Sequence, residues 1–144
     1  MQRNLLLKTE NLSKTFSNGG QQQHVLKNID LELYKGDFTV IMGASGAGKS
    51  TLLYALSGMD TPSLGKITFG DKVISDFSQD GLAVFRRDHC GFVFQQIYLI
   101  DGMSVMDNVL SAGLLVNKDK KAVVSRAKEL FAAVDISEET QKKF

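Results

Sequence analysis

The stretch Phe38–Ser50, FTVIMGASGAGKS, decides the fold of this 144-residue chain. Its first five residues, FTVIM, are β-branched or apolar, and such a run predicts a strand buried on both faces of a sheet. Glycines then break the pattern, and Ser50–Leu56 predicts a helix that ends near Gly58. A buried strand, a glycine-rich turn and a helix in this order indicate an α/β fold.

The turn between strand and helix, GASGAGKS at residues 43–50, fits the pattern G-x-x-x-x-G-K-[ST]. Its glycines let successive backbone N–H groups point at phosphate oxygens, and the helix adds the positive end of its dipole. In this interpretation Lys49 holds the β- and γ-phosphates, Ser50 offers its hydroxyl to Mg²⁺, and Thr51 reaches the α-phosphate. The alternative is a glycine-rich turn beside a merely solvated lysine. The predicted binding residues are Gly43, Ala44, Ser45, Gly46, Ala47, Gly48, Lys49, Ser50 and Thr51.

The motif indicates a nucleoside triphosphate, ATP above all, but kinases, GTPases, helicases and transport ATPases share it. Composition excludes a few classes: 17 basic and 16 acidic side chains leave a charge of +1, which does not favour nucleic acid as a partner. No stretch of about 20 apolar residues predicts a membrane span. Cys90 in its apolar context predicts a buried thiol, and His24 and His89 lack the spacing of metal ligands.

Short strands surround the phosphate turn in the first hundred residues. Alternating or β-branched runs predict them, and glycine-containing turns separate them. Asn18-Gly19-Gly20 predicts a loose turn between the first two strands, and Gly70-Asp71 predicts the turn of a hairpin. The other predicted strands are Leu5–Leu12, Val25–Leu33, Lys66–Phe69, Lys72–Ile74 and Cys90–Phe94.

From Ser104 the apolar spacing changes to a helical period, and Ser104 with Asp107 resembles a capping box. Ser137 predicts the cap of a third helix near the last residue of the sequence. We therefore expect the N-terminal portion of a longer protein, with a core and β arm in residues 1–100 and the start of a helical subdomain in residues 101–144. The predicted buried faces of the first two helices are Val105, Val109, Ala112 and Val116, then Val123, Ala127, Leu130 and Val134.

Four stretches of this sequence resemble the ATP-binding subunits of ABC transporters, in order and spacing, over essentially the whole chain. They are LLLKTENLSKTF (5–16), VLKNIDLELYKGDFTVIMGASGAGKSTLL (25–53), LSGMDTPSLGKITFGDKVI (56–74) and FRRDHCGFVFQQIYLIDGMSVMDNV (85–109). The last is most similar to the branch of lipoprotein-release, macrolide and antimicrobial-peptide exporters. The resemblance implies a RecA-like P-loop NTPase core with an antiparallel β arm, an ATPase as parent, and ATP with Mg²⁺ as ligands.

The resemblance also implies roles for two residues outside the phosphate turn. Phe16 matches the aromatic residue that stacks on adenine, where many members carry tyrosine; a core aromatic at a strand end is the alternative. Gln95 matches the Q-loop glutamine that approaches Mg²⁺ and the attacking water, and a polar strand cap is its alternative. Ser50 and Gln95 are thus the implied metal contacts.

The resemblance also implies the binding partners and the cellular location of the protein. It implies a homodimer of ATP-binding domains that sandwiches two ATP molecules and drives integral membrane subunits for export. It further implies a cytoplasmic protein, peripheral on the inner face of the cell membrane through those subunits.

Three motifs of the family do not occur in this sequence: an LSGGQ-like signature, a hydrophobic strand ending in Asp-Glu, and a switch histidine after it. Ile97–Asp101 and Phe131–Asp135 are the candidate acidic strands, but the first lies in the Q-loop segment and the second continues a helical period. Without a general base, we expect this chain to bind nucleotide rather than hydrolyse it.

Three other classes of protein remain open at this point. An ABC-type ATPase of DNA repair or chromosome organisation shares the nucleotide site, although heptads after the Q-loop would be typical of it and are not found. A P-loop kinase would use Ile97–Asp101 as a working acidic strand, and a phosphoryl-acceptor assay would identify it. A non-enzymatic interaction fragment is the last alternative.

Overall fold

The computed structural model describes residues 4–143, which divide between Cys90 and Gly91 into a first and a second unit. This division lies ten residues before the predicted start of the helical subdomain. The first unit contains β1 (Leu5–Asn18), β2 (Gln21–Tyr34), α1 (Lys49–Leu56), β3 (Leu64–Phe69), β4 (Lys72–Val73), a 3₁₀ turn (Ile74–Asp76) and α2 (Gln79–His89). The second unit contains α3 (Val105–Val116), α4 (Lys120–Ala133) and α5 (Glu138–Gln141).

The strands of the first unit form one antiparallel sheet in the order β2-β1-β3-β4. The hairpin of β1 and β2 is longer than predicted, because the two-residue turn Gly19-Gly20 takes φ values of 55° and 85° and keeps both strands paired up to it. The predicted loose turn is therefore wrong, since Gln21–Gln23 belong to β2. The β3–β4 hairpin around Gly70-Asp71 is confirmed.

The core of the first unit lies between one face of this sheet and the helices α1 and α2. On β1 the buried positions alternate, and a bulge at Asn11, opposite Asp30, shifts their register once. Phe69 and Phe85 meet edge to face with ring centroids 5.1 Å apart. The buried apolar residues of this core are Leu7, Leu12, Leu26, Ala55, Leu56, Ile67, Ile74 and Phe85.

The prediction of strands at Phe38–Met42 and Cys90–Phe94 is wrong, because the structure has no strand at either segment. Phe38–Met42 forms neither strand nor helix, and Phe38 is 93% exposed where burial on both faces was expected. Val93 is fully exposed as well. A strand exists only through its hydrogen-bonded neighbours, and among residues 4–143 no strand pairs with either segment. The α/β class and the antiparallel arm are confirmed, whereas no parallel strand pair occurs in this range.

Helix α2 was not predicted from the sequence. Ser78 caps it by accepting a hydrogen bond from the N–H of Gly81 at 3.2 Å. Leu82 and Phe85, three residues apart on one face of the helix, are buried. That cap and that spacing are the signal in the sequence that could have identified the helix.

The helices predicted in the second unit are confirmed, but their buried faces only in part: Val123 and Ala127 are buried as predicted. Leu110 and Phe131 are buried, while Val116 and Val134 are 71% and 64% exposed. Val116 is the last residue of α3 and Val134 follows the last residue of α4, so both exposed valines lie at helix ends. Helices α3 and α4 approach closely at Gly113, where an added Cβ would lie 2.5 Å from Cγ1 of Val123. The residues buried there are Leu110, Val123, Ala127 and Phe131.

Candidate phosphate-binding site

The predicted phosphate turn is a curled, largely exposed loop between Met42 and α1. Its glycines Gly43, Gly46 and Gly48 have φ values of 154°, 78° and 88°, which side chains rarely tolerate. A backbone hydrogen bond from Ala47 N–H to the carbonyl of Ala44, 3.2 Å, tightens its middle. The glycine spacing of the motif therefore coincides with the positions where the backbone must turn.

The loop meets β2 at Gly48. A Cβ built there would lie 3.0 Å from Cγ1 and 3.1 Å from the carbonyl oxygen of Val25. Val25 is the extra residue of a bulge, since Lys14 pairs with Leu26 and Thr15 pairs with His24. Only glycine fits this approach without strain, so the bulge in β2 and the glycine in the loop together set where α1 begins.

Helix α1 begins without a side-chain cap. Gly48 at its N-cap has no side-chain oxygen, and the first turn contains no acidic residue. The first N–H groups of a helix have no partner within it, and the helix dipole gives this end a partial positive charge. An anion at this end would accept hydrogen bonds from these N–H groups and would also balance the partial positive charge. This is the feature of the loop that best fits a phosphate group.

Lys49 adds a full positive charge at the same end of α1. Its Nζ donates hydrogen bonds to the carbonyl oxygens of Gly43 at 2.9 Å and Ala44 at 2.6 Å. A cation at a helix N-terminus is unfavourable unless an anion accompanies it. Ser50 lies exposed and Thr51 half-buried in the same turn. The donors of this end fit a phosphate chain, and the Ser50 hydroxyl is the oxygen available there for Mg²⁺.

Phe16 lies near the exposed end of the hairpin, opposite Gln23. It is 44% exposed, so its ring is not part of the core, unlike the alternative considered from the sequence. It lies two residues, or about 7 Å, along β1 from Lys14, whose strand partner Leu26 approaches Gly48. A pocket of about 380 Å³ opens beside the ring, lined by Phe16, Asn18, Gln21, Gln22 and Gln23.

Gln95 belongs to the second unit. It lies in an exposed bend after the unpaired segment 91–94, so the strand expected before it is not formed. The neighbouring Gln96 accepts a hydrogen bond from the Tyr98 hydroxyl at 3.0 Å. The role of Gln95 toward metal and water stays a prediction.

Neither candidate acidic strand is a strand. Asp101 follows a segment without regular secondary structure and begins a turn, and Asp135 follows α4 with a φ of 58°. The prediction that Phe131–Asp135 continues a helix is confirmed, because α4 extends to Ala133. Within residues 4–143, no group of three or more His, Cys, Asp or Glu side chains is placed to hold a metal ion.

The remaining candidates for chemistry have structural partners. Burial raises the pKa of the half-buried Cys90 thiol, which packs against the core of the first unit. The His89 ring lies 4.9 Å from that of Phe69, and His24 Nδ1 is 2.8 Å from the Thr15 hydroxyl. In the described part of the chain, no helix has the length and apolarity to cross a bilayer.

Comparison with known proteins places this geometry in a family. The family model described as "ABC transporter" matches residues 26–144. The lipoprotein-releasing system ATP-binding protein LolD of Idiomarina loihiensis is 37% identical over 131 residues, 91% of this chain and 58% of that protein. The macrolide export ATP-binding/permease protein MacB of Campylobacter fetus is also 37% identical over 131 residues, covering 91% of this chain and 20% of that protein.

A solved structure shares the fold. It is an ATP-binding cassette captured as a dimer after hydrolysis, bound to ADP and Pi, with a TM-score of 0.87 and 31% identity. The match covers 96% of this chain and 61% of that chain. This chain thus spans less than two thirds of the length of each of these relatives.

Proposed function

The chain belongs to the ABC transporter family, and on that premise we propose that it is an ATP-binding subunit that couples ATP binding to export through separate membrane subunits. The observation that carries the proposal is the N-terminus of α1, where an uncapped helix end and the Lys49 ammonium meet with no acidic residue in the first turn. At a helix end of this kind the positive charge is not compensated unless an anion binds.

In the proposed complex the loop holds the triphosphate by its backbone. N–H groups of Gly46, Gly48, Lys49 and Ser50 donate to phosphate oxygens. Lys49 exchanges its contacts with the carbonyls of Gly43 and Ala44 for the β- and γ-phosphates. Thr51 reaches toward the α-phosphate. Mg²⁺, when bound, supplies positive charge against the phosphates, with Ser50 and Gln95 as its proposed protein contacts.

Phe16 is the proposed platform for the base. Its ring is partly exposed beside a pocket of about 380 Å³, which is room for a stacked purine. Stacking on phenylalanine needs only a π-face on the ligand, so we expect little selectivity among purines from this residue.

We propose further that this chain binds ATP rather than hydrolyses it. Hydrolysis needs a group that positions and deprotonates water in line with the γ-phosphate. Asp101 and Asp135 lie in a turn and after a helix rather than at the end of a strand, which supports neither as that base. In the proposed whole protein, two ATP-binding domains close around two ATP molecules at the cytoplasmic face and drive the membrane subunits.

Calorimetric titration with ATP and Mg²⁺ tests the phosphate site. Lys49→Ala removes a charge-assisted contact of roughly 1.5–3 kcal/mol, so the Kd for ATP should rise about tenfold or more. Lys8→Met is the control, because Lys8 pairs with Glu10 on β1 away from the loop. An unchanged Kd in Lys49→Ala would end the proposal.

The role of Phe16 is tested by comparing two ligands. Phe16→Ala should weaken ATP by roughly 1–3 kcal/mol, the scale of base–aromatic stacking. Tripolyphosphate, which has no base, should bind the variant and the unchanged protein equally. An equal loss for both ligands would mean that Phe16 acts through the fold.

Phosphate release from the purified chain tests the proposal on turnover. Loss of a general base costs about 10²–10⁴ in rate, so steady release should not rise above background. Release that Lys49→Ala abolishes would come from this chain itself and would contradict the proposal. Asp101→Asn and Asp135→Asn would then identify the acid responsible.

A further inference from the structure

Lys14 is a nearly buried lysine on β1, two residues before Phe16. It is 9% exposed, and its Nζ donates to Oδ1 of Asp60 at 2.6 Å and to the carbonyl oxygen of Thr61 at 2.7 Å. The same Nζ lies 5.0 Å from the centroid of the Phe16 ring. An ammonium has three N–H donors, and here two are taken by oxygens while the third side faces an aromatic ring.

The two oxygens that hold Lys14 belong to the segment that follows α1. The N–H of Asp60 donates to the carbonyl of Tyr54 in the last turns of that helix, 3.1 Å away. The segment is also attached to β1 through Ser63, whose hydroxyl accepts a hydrogen bond from Thr15 N–H at 3.0 Å. Helix α1 therefore has the phosphate loop at its first residue and the anchor of Lys14 just after its last.

We propose that Lys14 is a positioning residue for the base of the nucleotide: anchored to the end of α1 by Asp60 and Thr61, it holds one face of the Phe16 ring so that a base stacks on the other. This inference rests on the proposed function, because it concerns the same nucleotide. It adds a physical link between the two ends of that site, the phosphate loop and the base platform.

Two physical effects follow from an ammonium fixed against the ring. The first is preorganisation: an exposed aromatic side chain loses rotamer freedom when a ligand orders it, and a ring already held loses less. The second is electrostatic. A cation on one face of the ring attracts the π-electron density, so the opposite face repels the π-electrons of a base less. Both effects act on the base and leave the phosphates untouched.

The competing explanation is that Lys14 only holds the segment after α1 against β1. Such a role would affect the whole nucleotide site through the helix, so ATP and tripolyphosphate would lose affinity together. A role through the Phe16 ring would affect only the ligand that has a base. The ratio of the two affinities separates the explanations, and it is a measurement that a purely structural role does not change.

The experiment is calorimetric titration of the full chain with ATP and with tripolyphosphate. Lys14→Met keeps an unbranched apolar stem and removes the charge, and we expect the Kd for ATP to rise about three- to tenfold with tripolyphosphate unchanged. Lys14→Arg keeps a cation and should retain most of the preference for ATP. Ser63→Ala is the matched control, because it loosens the same segment on β1 without touching the ring or the cation.

A double-mutant cycle then asks whether Lys14 acts through Phe16. In a Phe16→Leu background the ring is gone, so Lys14→Met should have no further effect on the ratio of affinities. A full Lys14→Met effect in that background would overturn the proposal, as would equal losses for ATP and tripolyphosphate or a Ser63→Ala variant with the same selective loss.

NMR of the unchanged protein covers the case in which Lys14→Met does not fold. ATP should shift both the Phe16 ring resonances and the Lys14 ε-methylene resonance, whereas tripolyphosphate should shift neither. Equal shifts with both ligands would overturn the proposal. Failure of the proposed function has a different signature, since ATP would then bind without dependence on Lys49.

Discussion

Helices α1 and α2 lie in the same unit, and their N-termini are built in opposite ways. At α2 the Ser78 hydroxyl accepts a hydrogen bond from Gly81 N–H, Asp80 places a negative charge in the first turn, and basic residues occupy the last turn. At α1 the cap is Gly48 with a φ of 88°, no acidic residue is in the first turn, and no basic residue is in the last. Both caps nonetheless accept the first backbone bond at 2.9 Å, from Leu52 N–H to Gly48 and from Leu82 N–H to Ser78.

The difference shows which helix end is compensated by its own side chains and which is not. Helix α2 compensates its own dipole with side chains at both ends. Helix α1 instead begins with Lys49, a charge of the wrong sign for that end of a helix. Helix α4 also begins with a lysine, Lys120, but the Asp119 carboxylate caps it, whereas α1 has neither a side-chain cap nor an acidic residue in its first turn. Phosphate groups would supply the missing negative charge.

The largest expected effect comes from giving α1 an acidic side-chain cap. Gly48→Asp would place a carboxylate among the donors meant for phosphate, and the Kd for ATP should rise roughly a hundredfold or more, since charge-assisted contacts are lost and repulsion is added. Gly48→Ala is the control, because it carries the same strained Cβ against Val25 without the charge. Similar affinities in the two variants would show that shape, rather than charge, excludes the ligand.

The next effect is stabilisation by the ligand itself. ATP with Mg²⁺ at a hundred times its Kd should raise the free energy of unfolding by about 2.7 kcal/mol, because it binds only the folded state. Chemical denaturation followed by circular dichroism measures this. The gain should persist in Ser78→Ala and fall to about 0.4 kcal/mol or less in Gly48→Asp at the same ligand concentration. An undiminished gain in Gly48→Asp would place the ligand somewhere other than α1.

A smaller effect is expected at the start of α2. Ser78→Ala removes the side-chain cap, and the free energy of unfolding should fall by about 1 kcal/mol. Affinity for ATP should stay the same, because α2 has no part in the proposed site. If ATP binding weakened as much as in Lys49→Ala, the functional difference between the two helix ends would be lost.

The smallest effect is expected for the same acidic substitution at the other helix. Ser78→Asp exchanges one good cap for another, so stability should change by no more than about 0.5 kcal/mol and ATP affinity not at all. Paired with Gly48→Asp in one set of titrations, it puts the same carboxylate at two helix ends of one unit. An equal change in the Kd for ATP in Ser78→Asp and Gly48→Asp would contradict the proposal that ATP binds at the N-terminus of α1.

Local patterns were predicted well. The phosphate turn, α1, the β3–β4 hairpin and the capped helix starts at Ser104 and Ser137 were found as expected. Each depends on a few neighbouring residues: a glycine where φ is positive, or a hydroxyl placed before a helical period. Such features are fixed within about one turn of chain, so a single sequence contains what is needed to identify them.

Features that depend on distant partners were predicted poorly. Phe38–Met42 has the composition of a buried strand, yet the described residues provide no neighbouring strand to pair with it. Similarly, the apolar spacing of α3 predicted a buried face that includes Val116, which is 71% exposed at the last residue of the helix, whereas Leu110 is buried.

The sequence by itself determined the family resemblance, the phosphate turn with Lys49 and Ser50, and the choice of Phe16 as the candidate base platform. Only the tertiary structure decided that Gly48 has to be glycine because of Val25, and that Lys14 joins the Phe16 ring to Asp60, 46 residues further along the chain. The physical reason is that the spacing of residues along the chain predicts only the local structure of a short segment. A contact between β1 and the end of α1 exists only after the chain has brought them together.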